Sequence, residues 1–415
     1  MKRPFLPRLS ICTKMDEIKT IDINDYQGML TYIHEYWKHI TSHHPKDKFS
    51  HFGLPNSFVC PNDGIFKDDQ FYWDSYFIIL GLVRAGKAEL AKGMIDNFIF
   101  MQRRFGIIPM RNRWFNLGTS QIPFFTSMIE EVYQALDDGR YAQWRRKAMR
   151  AAEREWKDYW TNKSLTELHL VYHGLSRYCD HFITHLAAEH ESGWDMTSRF
   201  HEHCLDYLPV DLNAALYKYE TDLASFYKSI RKPRISAQFL KLSEERQKTM
   251  HALLWNSEKG FFFDYDYKHK RHSSFYSIAG FYPLWAKLAT HQQAEKMVEN
   301  LPHFERPFGL ANTQATGLSE EYKQHDYPNG WPPQQWIVIQ GLLNYGYNAE
   351  AFRIAKKFLD VNQRAFQKTH QLWEKYNVVT GTPGDSERYP TQPGFAWTNA
   401  IVLRLLHQFS SETTS

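Results

Sequence analysis

The residues with the clearest chemical potential lie near the middle of the chain, at positions 191–200 (ESGWDMTSRF). This segment has neither helical nor strand periodicity, which is typical of a loop. A tryptophan beside a carboxyl group suits a sugar site, because the indole face packs on the C–H surface of a pyranose and keeps water from the acid. Asp195 is therefore a candidate proton donor and Trp194 a candidate stacking surface. Taken alone, the segment is equally compatible with a surface turn that half-buries Trp194.

The composition favours a carbohydrate ligand over nucleic acid. The chain has 13 Trp, 24 Tyr and 29 Phe, so that aromatic residues make up 16% of it. A core does not require this many aromatic side chains, whereas a surface that stacks on sugars, or less often on bases, does. The formal net charge of +4 provides no strong field for nucleic acid. The basic residues between positions 145 and 154 have helical spacing and are interpreted as a solvated helix face.

Cysteine usage and the N-terminus predict the compartment. Four cysteines (Cys12, Cys60, Cys179 and Cys204) are scattered along the chain without a paired spacing, which favours reduced thiols. The first residues contain no apolar run of signal-peptide length, and no stretch reaches the length of a transmembrane helix. We therefore expect a cytoplasmic protein that does not span a membrane.

No motif indicates a metal or a cofactor. Positions 200–204 (FHEHC) place nitrogen and sulfur donors close together, but their spacing matches no common structural zinc site, and no His-Glu-x-x-His is present. There is also no glycine-rich phosphate loop and no Gly-x-Ser-x-Gly nucleophile elbow. The expected partner is a small sugar, without nucleic acid, membrane, metal or cofactor.

The elements that position these residues are mainly helices. Apolar residues recur at three- and four-residue steps in twelve segments, and one short strand or hairpin arm is predicted at 261–267. The predicted helices span 25–42, 69–87, 89–104, 123–138, 141–162, 212–228, 236–255, 277–290, 293–300, 333–345, 349–363 and 395–409.

Most of these helices follow one another in pairs, and no linker divides them. After an irregular lead-in at 1–23, we expect a single all-α domain at 24–411, built as a closed ring of helix hairpins. The segment 74–83 is apolar on all faces, as an inner helix of such a ring requires, whereas the basic helix around Arg145 suits the outside. Long loops at one mouth of the ring would then carry the chemistry.

Six separated motifs resemble the trehalase family of glycoside hydrolases, in the order in which that family has them. Together they extend the resemblance from about position 53 to 406. It implies an (α/α)6 toroid with at most a short β-hairpin, and an inverting enzyme that hydrolyses α,α-trehalose to glucose. The motifs are 63–77 (DGIFKDDQFYWDSYF), 191–195 (ESGWD), 210–214 (VDLNA), 326–334 (DYPNGWPPQ), 374–377 (EKYN) and 394–399 (GFAWTN).

The resemblance assigns Asp195 as general acid and Glu374 as general base. This pairing agrees with the chemistry of inversion, in which one carboxyl protonates the leaving oxygen and the other deprotonates a water on the opposite ring face. The two groups are then roughly 6.5–9.5 Å apart. The resemblance also implies a set of sugar-binding side chains, although a core position remains the alternative for each tryptophan among them. These are Phe66, Trp73, Asp74, Arg113, Gln121, Trp194, Trp331, Glu387 and Trp397.

The sequence departs from the family pattern where substrate would bind. Two family arginines are replaced by Ile65 and Thr119, and the segment that carries a third is missing. Near the C-terminus, the family's Glu-Tyr pair aligns with residues 388–389 (RY), or with Glu387 if one residue is inserted. Each unreplaced charged donor would cost on the order of 2–4 kcal/mol of binding. Arg111, Arg113 and Lys67 are candidate replacements.

Three functions therefore remain open. The first is hydrolysis of trehalose, and the second is the same chemistry on another α-glucoside. The third is a carbohydrate-binding descendant without activity, which the presence of both Asp195 and Glu374 argues against.

Overall fold

The computed structural model describes residues 20–136, 139–162, 164, 168–315, 323–384 and 389–410. Helices dominate this part of the chain. Its α-helices are α1 (Gln27–Tyr36), α2 (Tyr72–Arg84), α3 (Ala88–Phe105), α4 (Phe125–Ala135), α5 (Ala142–Glu155), α6 (His185–Glu191), α7 (Val210–Ser229), α8 (Pro233–Leu253), α9 (Tyr282–Trp285), α10 (His291–Glu299), α11 (Pro332–Asn344), α12 (Asn348–Thr369) and α13 (Ala396–Phe409).

Six of these helices close into an inner ring. Helix α2 contacts α4, and contacts continue in turn through α7, α9, α11 and α13, which packs back on α2. Around them, α3 packs on α2 and α4, α5 on α4 and α7, α8 on α7, and α12 on α11 and α13. This is the predicted (α/α)6 toroid. Nearly every side chain of α2 is buried, whereas α5 buries only one face, as the apolar and basic patterns predicted.

A glycine permits one close contact of the inner ring. A Cβ at Gly81 of α2 would lie 2.4 Å from the Cα of Ala400 on α13. Any side chain at position 81 would therefore push apart the two helices whose N-terminal ends carry Asp74 and Trp397.

The strands are short and more numerous than the single predicted hairpin arm. Positions 261–267 contribute two separate strands, which pair with different partners rather than with each other. Asp264 between them is buried and accepts hydrogen bonds from Arg199 and from the backbone N–H of Val210. The strands are β1 (Thr41–Ser42), β2 (Phe58–Val59), β3 (Leu170–Tyr172), β4 (Leu175–Ser176), β5 (Tyr207–Leu208), β6 (Trp255–Asn256), β7 (Phe261–Phe262), β8 (Tyr265–Asp266), β9 (Arg271–His272), β10 (Glu305–Arg306), β11 (Gly309–Leu310), β12 (Asn329–Gly330), β13 (Tyr376–Asn377) and β14 (Thr382–Pro383).

These strands form six small antiparallel sheets within the described ranges: β1-β2, β3-β4, β5-β8-β9, β6-β7, β10-β11 and β12-β13-β14. The last sheet pairs Asn329 with Asn377 and Gly330 with Tyr376. This register brings the segment before α11 alongside the segment that contains Glu374.

The main hydrophobic core extends from Ile21 to Leu406, and Val361, Ala365 and Tyr376 form a second, smaller cluster. Ile21 lies within the predicted lead-in, yet its side chain is buried and its backbone N–H donates to the carbonyl of Phe409. Residues 1–19 and 411–415 lie outside the described part, so the domain limits stay a prediction. Among the described helices, none combines the length and the apolar character needed to span a bilayer.

Candidate active site

A cavity of about 470 Å³ opens where the inner helices begin. It brings together both predicted catalytic carboxylates and most of the predicted sugar-binding side chains, which come from distant parts of the sequence. The predicted residues that line it are Phe66, Trp73, Asp74, Gln121, Asp195, Trp331, Glu374 and Trp397.

The inner helices place these residues at their N-terminal ends. Trp73 and Asp74 lie in the first turn of α2, Trp397 is the second residue of α13, and Trp331 directly precedes α11. Gln121 and Asp195 lie in the loops that lead into α4 and α7. Since α2, α11 and α13 begin at the cavity, the backbone N–H groups of their first turns favour electronegative ligand atoms there.

The loop that carries Asp195 begins with a glycine that no other residue could replace easily. Gly193 has a φ of +74°, and a Cβ on it would lie 3.2 Å from the Trp73 ring. Trp194 then turns inward and is fully buried, with its ring 5.0 Å from the guanidinium carbon of Arg199. Asp195 itself is half-buried and lines the cavity.

Beneath this loop lies a buried ionic cluster. Arg199 is wholly buried and donates two hydrogen bonds to Asp211 (2.7 and 2.8 Å) and two to Asp264 (both 2.7 Å). Asp211 belongs to α7, so the cluster fixes the loop to the inner ring. Charge-assisted pairs of this kind are strong when buried and fully bonded.

Two further carboxylates hold the segment that follows Asp195. The backbone N–H of Thr197 donates to Glu189 (2.6 Å), while the Thr197 hydroxyl donates to Asp326 (2.9 Å). Burial raises the pKa of Glu189 to about 7, and the nearby charges of Asp195 and Asp326 act in the same direction. The side-chain amide of Gln324 donates to the backbone carbonyl of Asp195.

Glu374 is held from both sides. Its side chain is buried, its Oε2 accepts a hydrogen bond from Lys375 Nζ at 2.9 Å, and its Oε1 accepts one from the Tyr389 hydroxyl at 2.7 Å. The backbone carbonyl of Glu374 accepts from the Trp397 indole N–H at 2.9 Å. Lys375 is fully buried, with its ammonium 4.8 Å from the centre of a Trp331 ring, where cation–π attraction adds to the ion pair.

Asp74 lies in the field of both candidate catalytic groups. Burial raises the pKa of its carboxyl well above the usual range, and the negative charges of Glu374 and Asp195 raise it further. A carboxyl that keeps its proton near neutral pH can donate a hydrogen bond to a ligand oxygen. The aromatic floor around it is continuous: Trp397 lies 5.8 Å from Trp73 and 5.7 Å from Trp331 between ring centroids.

Several cavity residues escaped sequence analysis. His325 stacks on Trp331 at 3.8 Å, and Asp180, Phe115 and Phe182 also line the cavity. His325 could have been found, because it directly precedes the motif at 326–334. The other three lie in segments without a motif, so no signal in the sequence marks them.

The structure places some predicted binding residues away from the cavity. Trp194 is buried behind the loop, where it packs on Arg199. Arg113 makes a two-pronged ion pair with the fully buried Asp69 (2.6 and 2.9 Å), and neither it nor the exposed Lys67 lines the cavity. Of the candidate replacements for the family arginines, Arg111 alone does. Glu387 lies outside the described residues.

One group of side chains within the described ranges could hold a metal ion. Ligand atoms of His185, His203 and Asp206 all lie within 4.8 Å of one another on the surface. His203 comes from the donor-rich segment at 200–204, whereas Cys204 in the same segment is buried.

Comparison with known proteins identifies the family. The sequence model described as Trehalase matches residues 12–184 and 180–410, which together cover most of the chain. The chain belongs to the trehalase family. It is accordingly a glycosidase of the trehalase type, and the predicted family and enzyme class are confirmed.

Relatives in this family are similar over most of their length. A periplasmic trehalase from Xanthomonas axonopodis pv. citri is 33% identical over 90% of this chain and 72% of the relative. A periplasmic trehalase from Xanthomonas oryzae pv. oryzae is 34% identical over 86% of this chain and 68% of the relative.

Solved structures agree in fold. Neutral trehalase Nth1 from Saccharomyces cerevisiae superposes with a TM-score of 0.77 at 32% identity, covering 86% of this chain and 74% of the yeast one. The GH63 mannosylglycerate hydrolase from Thermus thermophilus superposes with a TM-score of 0.66, covering 91% and 99%; at 17% identity, this likeness concerns the fold alone.

The predicted cytoplasmic location is wrong. Both Xanthomonas trehalases are periplasmic proteins, and the scattered cysteines do not argue otherwise. Cys60, Cys179 and Cys204 are buried free thiols, and burial raises the pKa of Cys60 and Cys179 to about 11. Thiols that are shielded and protonated do not form disulfides readily in either compartment.

Proposed function

We propose that this trehalase-family protein is an inverting hydrolase of α-glucosidic bonds, with α,α-trehalose as its reference substrate. One observation carries the proposal: Asp195 and Glu374 line the same cavity, and both act on the buried carboxyl of Asp74. Two carboxyl groups across a sugar-sized cavity are what inversion requires.

In this mechanism Asp195 is the general acid. Its carboxyl gives a proton to the glycosidic oxygen as the bond to the anomeric carbon breaks, so that the leaving group departs as a neutral alcohol. Asp195 suits this role because it is half-exposed on a braced loop and can recover a proton from solvent after each turnover.

Glu374 is the general base. It takes a proton from a water molecule whose oxygen attacks the anomeric carbon from the opposite face, which gives β-glucose. Lys375 and Tyr389 occupy one lone pair on each carboxylate oxygen, so each oxygen still has a lone pair to accept a hydrogen bond from water. The same two partners hold the carboxylate in one orientation.

The cavity floor binds the glucose ring that is cleaved. Trp73, Trp331 and Trp397 present indole surfaces, and the protonated Asp74 offers a hydrogen-bond donor between them. Gln121 is oriented by the backbone N–H of Trp73, which donates to its side-chain carbonyl (3.2 Å) and leaves the amide N–H groups for a sugar oxygen.

The experiment follows glucose release from trehalose by proton NMR. Inversion predicts equal amounts of α- and β-glucose before mutarotation mixes the anomers, because the attacked ring inverts to β while the leaving glucose keeps its α-configuration. Release of α-glucose alone would contradict the assignment of the two carboxylates. If trehalose and a panel of α-glucosides all remain intact while calorimetry detects their binding, the protein is a carbohydrate-binding descendant instead.

We also propose a periplasmic location, since this is where the named Xanthomonas relatives function. Cell fractionation with antibodies against this chain and against cytoplasmic and periplasmic markers tests it. Recovery in the cytoplasmic fraction alone would refute it.

A further inference from the structure

A second concave region lies on the outside of the ring, between the outer helices α3 and α5. It is a groove of about 810 Å³, and none of its described lining residues also lines the cavity that holds Asp195 and Glu374. Lys92 and Arg103 of α3 lie on one side of it, and the basic face of α5 lies on the other. This region is called the basic groove.

The basic groove concentrates the positive charge of the protein. Within the described ranges its lining includes seven cationic side chains and one acidic one, Asp96, which together carry a net charge of +6. The formal net charge of the whole chain is only +4, so the charges outside the groove are slightly acidic in sum. A concave surface lined by one sign of charge attracts ligands of the opposite sign.

Two contacts align α3 and α5 side by side in the same direction. The Trp144 indole N–H donates to Asp96 (3.2 Å), and Arg154 donates to the side-chain carbonyl of Gln102 (3.1 Å). Between positions 92 and 103 of α3, a rise of 1.5 Å per residue gives about 17 Å. The cations therefore form a band along the groove that is much longer than one phosphate group.

Several of these arginines have no partner in the protein. Arg146, Arg150 and Arg154 recur every four residues on one face of α5, and like charges at this spacing destabilise a helix. Arg103, Arg146 and Arg150 are exposed, and none of them makes a hydrogen bond or an ion pair with a described residue. An anion in the groove would relieve this repulsion and use their free donors.

The remaining lining side chains do not change this balance. Asp96 accepts a hydrogen bond from Lys92 (2.9 Å) and lies 3.7 Å from Lys147 Nζ, so its charge is shared by two lysines. The Lys92 ammonium also lies 5.6 Å from a ring centre of Trp144, the aromatic residue in the groove. Because this ring already has a cation against it, it is poorly placed to stack on a nucleic-acid base.

The guanidinium group fits phosphate oxygens with two parallel hydrogen bonds, which favours phosphate as the anionic group. From the length of the band, its unpaired arginines and the occupied Trp144 ring, we propose that the basic groove binds a linear chain of phosphate groups. The chain lies between α3 and α5 and is held through its charges. This inference is independent of the proposed function, since the groove and the cavity have separate linings.

Calorimetric titration of the full chain with inorganic polyphosphate tests the proposal, with orthophosphate and polyglutamate of matched charge for comparison. We expect one polyphosphate chain to bind at least ten-fold more tightly than either, and its affinity to fall as salt rises. If polyphosphate does not bind, or if orthophosphate binds equally well, the proposal is overturned. If polyglutamate binds as tightly, the groove recognises charge alone and the assignment to phosphate is wrong.

Variants locate the binding. The double variant Arg146→Gln, Arg150→Gln should weaken polyphosphate binding at least ten-fold and make its salt dependence shallower, because fewer counterions are displaced. The matched control is Arg234→Gln, Lys248→Gln. It removes the same charge from exposed positions of the outer helix α8, outside the groove.

Equal weakening in both double variants would show unspecific attraction and overturn the proposal. So would binding of phosphatidylglycerol vesicles without binding of polyphosphate, which would assign the groove to a membrane surface. Melting temperatures show that each variant is folded. The double variant in the groove should melt no lower than the wild type, because it removes a repulsion between like charges.

Discussion

The floor and the outer edge of the cavity are stabilised in different ways. On the floor, Glu374 is held by Lys375 and Tyr389, and its backbone is tied to Trp397. At the outer edge, the lining residues Phe115 and Phe182 are largely exposed. Removing a buried, bonded group leaves its partners unsatisfied, whereas trimming an exposed side chain removes only contact area. We therefore expect substitutions on the floor to affect cleavage far more than substitutions at the outer edge.

The largest effect is expected from Glu374→Gln. The amide keeps the shape of the side chain but cannot accept the proton of water, so kcat should fall about 10²- to 10⁴-fold. KM should change little, because the aromatic floor is intact. Steady-state kinetics measures both constants, with Glu299→Gln, at an exposed position of α10, as the matched control. A wild-type kcat would show that another group is the base.

Asp195→Asn should be nearly as damaging on alkyl glucosides, also about 10²- to 10⁴-fold in kcat. Its effect should shrink on p-nitrophenyl α-glucoside, because a nitrophenolate leaves without needing a proton. Glu374→Gln should show no such recovery, since water must still be activated. Kinetics of both variants on both substrates provides the comparison. Equal losses on the two substrates would contradict the role of Asp195 as the acid.

The next effect concerns stability under the floor, at Glu189. Its pKa is about 7 in the folded protein against a reference value of 4.5, so the folded state holds a proton that the unfolded state releases. The contribution of Glu189 to the free energy of unfolding is thus fully present below about pH 4.5, and it is lost as pH rises through about 7. Glu189→Gln keeps the acceptor for Thr197 and removes the titration.

Denaturation with urea at several pH values tests this. The variant should match the wild type near pH 4.5 and be more stable above pH 7.5, by at most about 3 kcal/mol. A difference in stability that does not vary with pH would show that Glu189 does not titrate in this range.

A smaller effect is expected from Tyr389→Phe, which removes one of the two side-chain partners of Glu374. A hydrogen bond to a charged group is worth about 1.5–3 kcal/mol, so kcat should fall roughly ten-fold or somewhat more. Tyr32→Phe, which loses a hydrogen bond to Gln371 away from the cavity, is the control. Should kcat stay unchanged, Lys375 alone would suffice to orient the base.

The smallest effect is expected at the outer edge of the cavity. Ile65→Ala removes exposed apolar area there, and it should lower kcat/KM on trehalose only about two-fold. Steady-state kinetics of the variant and the wild type measures this ratio. A fall in kcat as large as that of the floor variants would show that the outer edge and the floor are not independent.

Local patterns predicted the ring, and the motifs shared with the family predicted which residues form the floor. The stripe of apolar residues in α2 and the basic outer face of α5 follow from spacing within a few helical turns, and the structure confirms both. The motifs at 63–77, 326–334 and 394–399 each lie at the start of an inner helix. The ring places the N-terminal ends of those helices side by side, so the residues of these motifs line one cavity.

Other features depended on partners far away in the chain. Trp194 was predicted to stack on sugar, but Arg199 and its two aspartates draw it into the interior. Arg113 was predicted to bind substrate, but the buried Asp69 holds it. Neighbouring residues in the sequence carry no sign of either pairing, since a charge is satisfied by whichever opposite charge the fold brings closest.

The sequence alone thus specified the helices and the family and put forward the two carboxylates as candidates, because each is encoded in residue types at short spacing. Tertiary structure decided which side chains face the cavity, which polar groups are already paired, and that Phe115 and Phe182 stand exposed at its mouth. The exposure of a side chain and the partners of a polar group depend on how helices and loops pack against one another. This packing is defined only once the ring has closed.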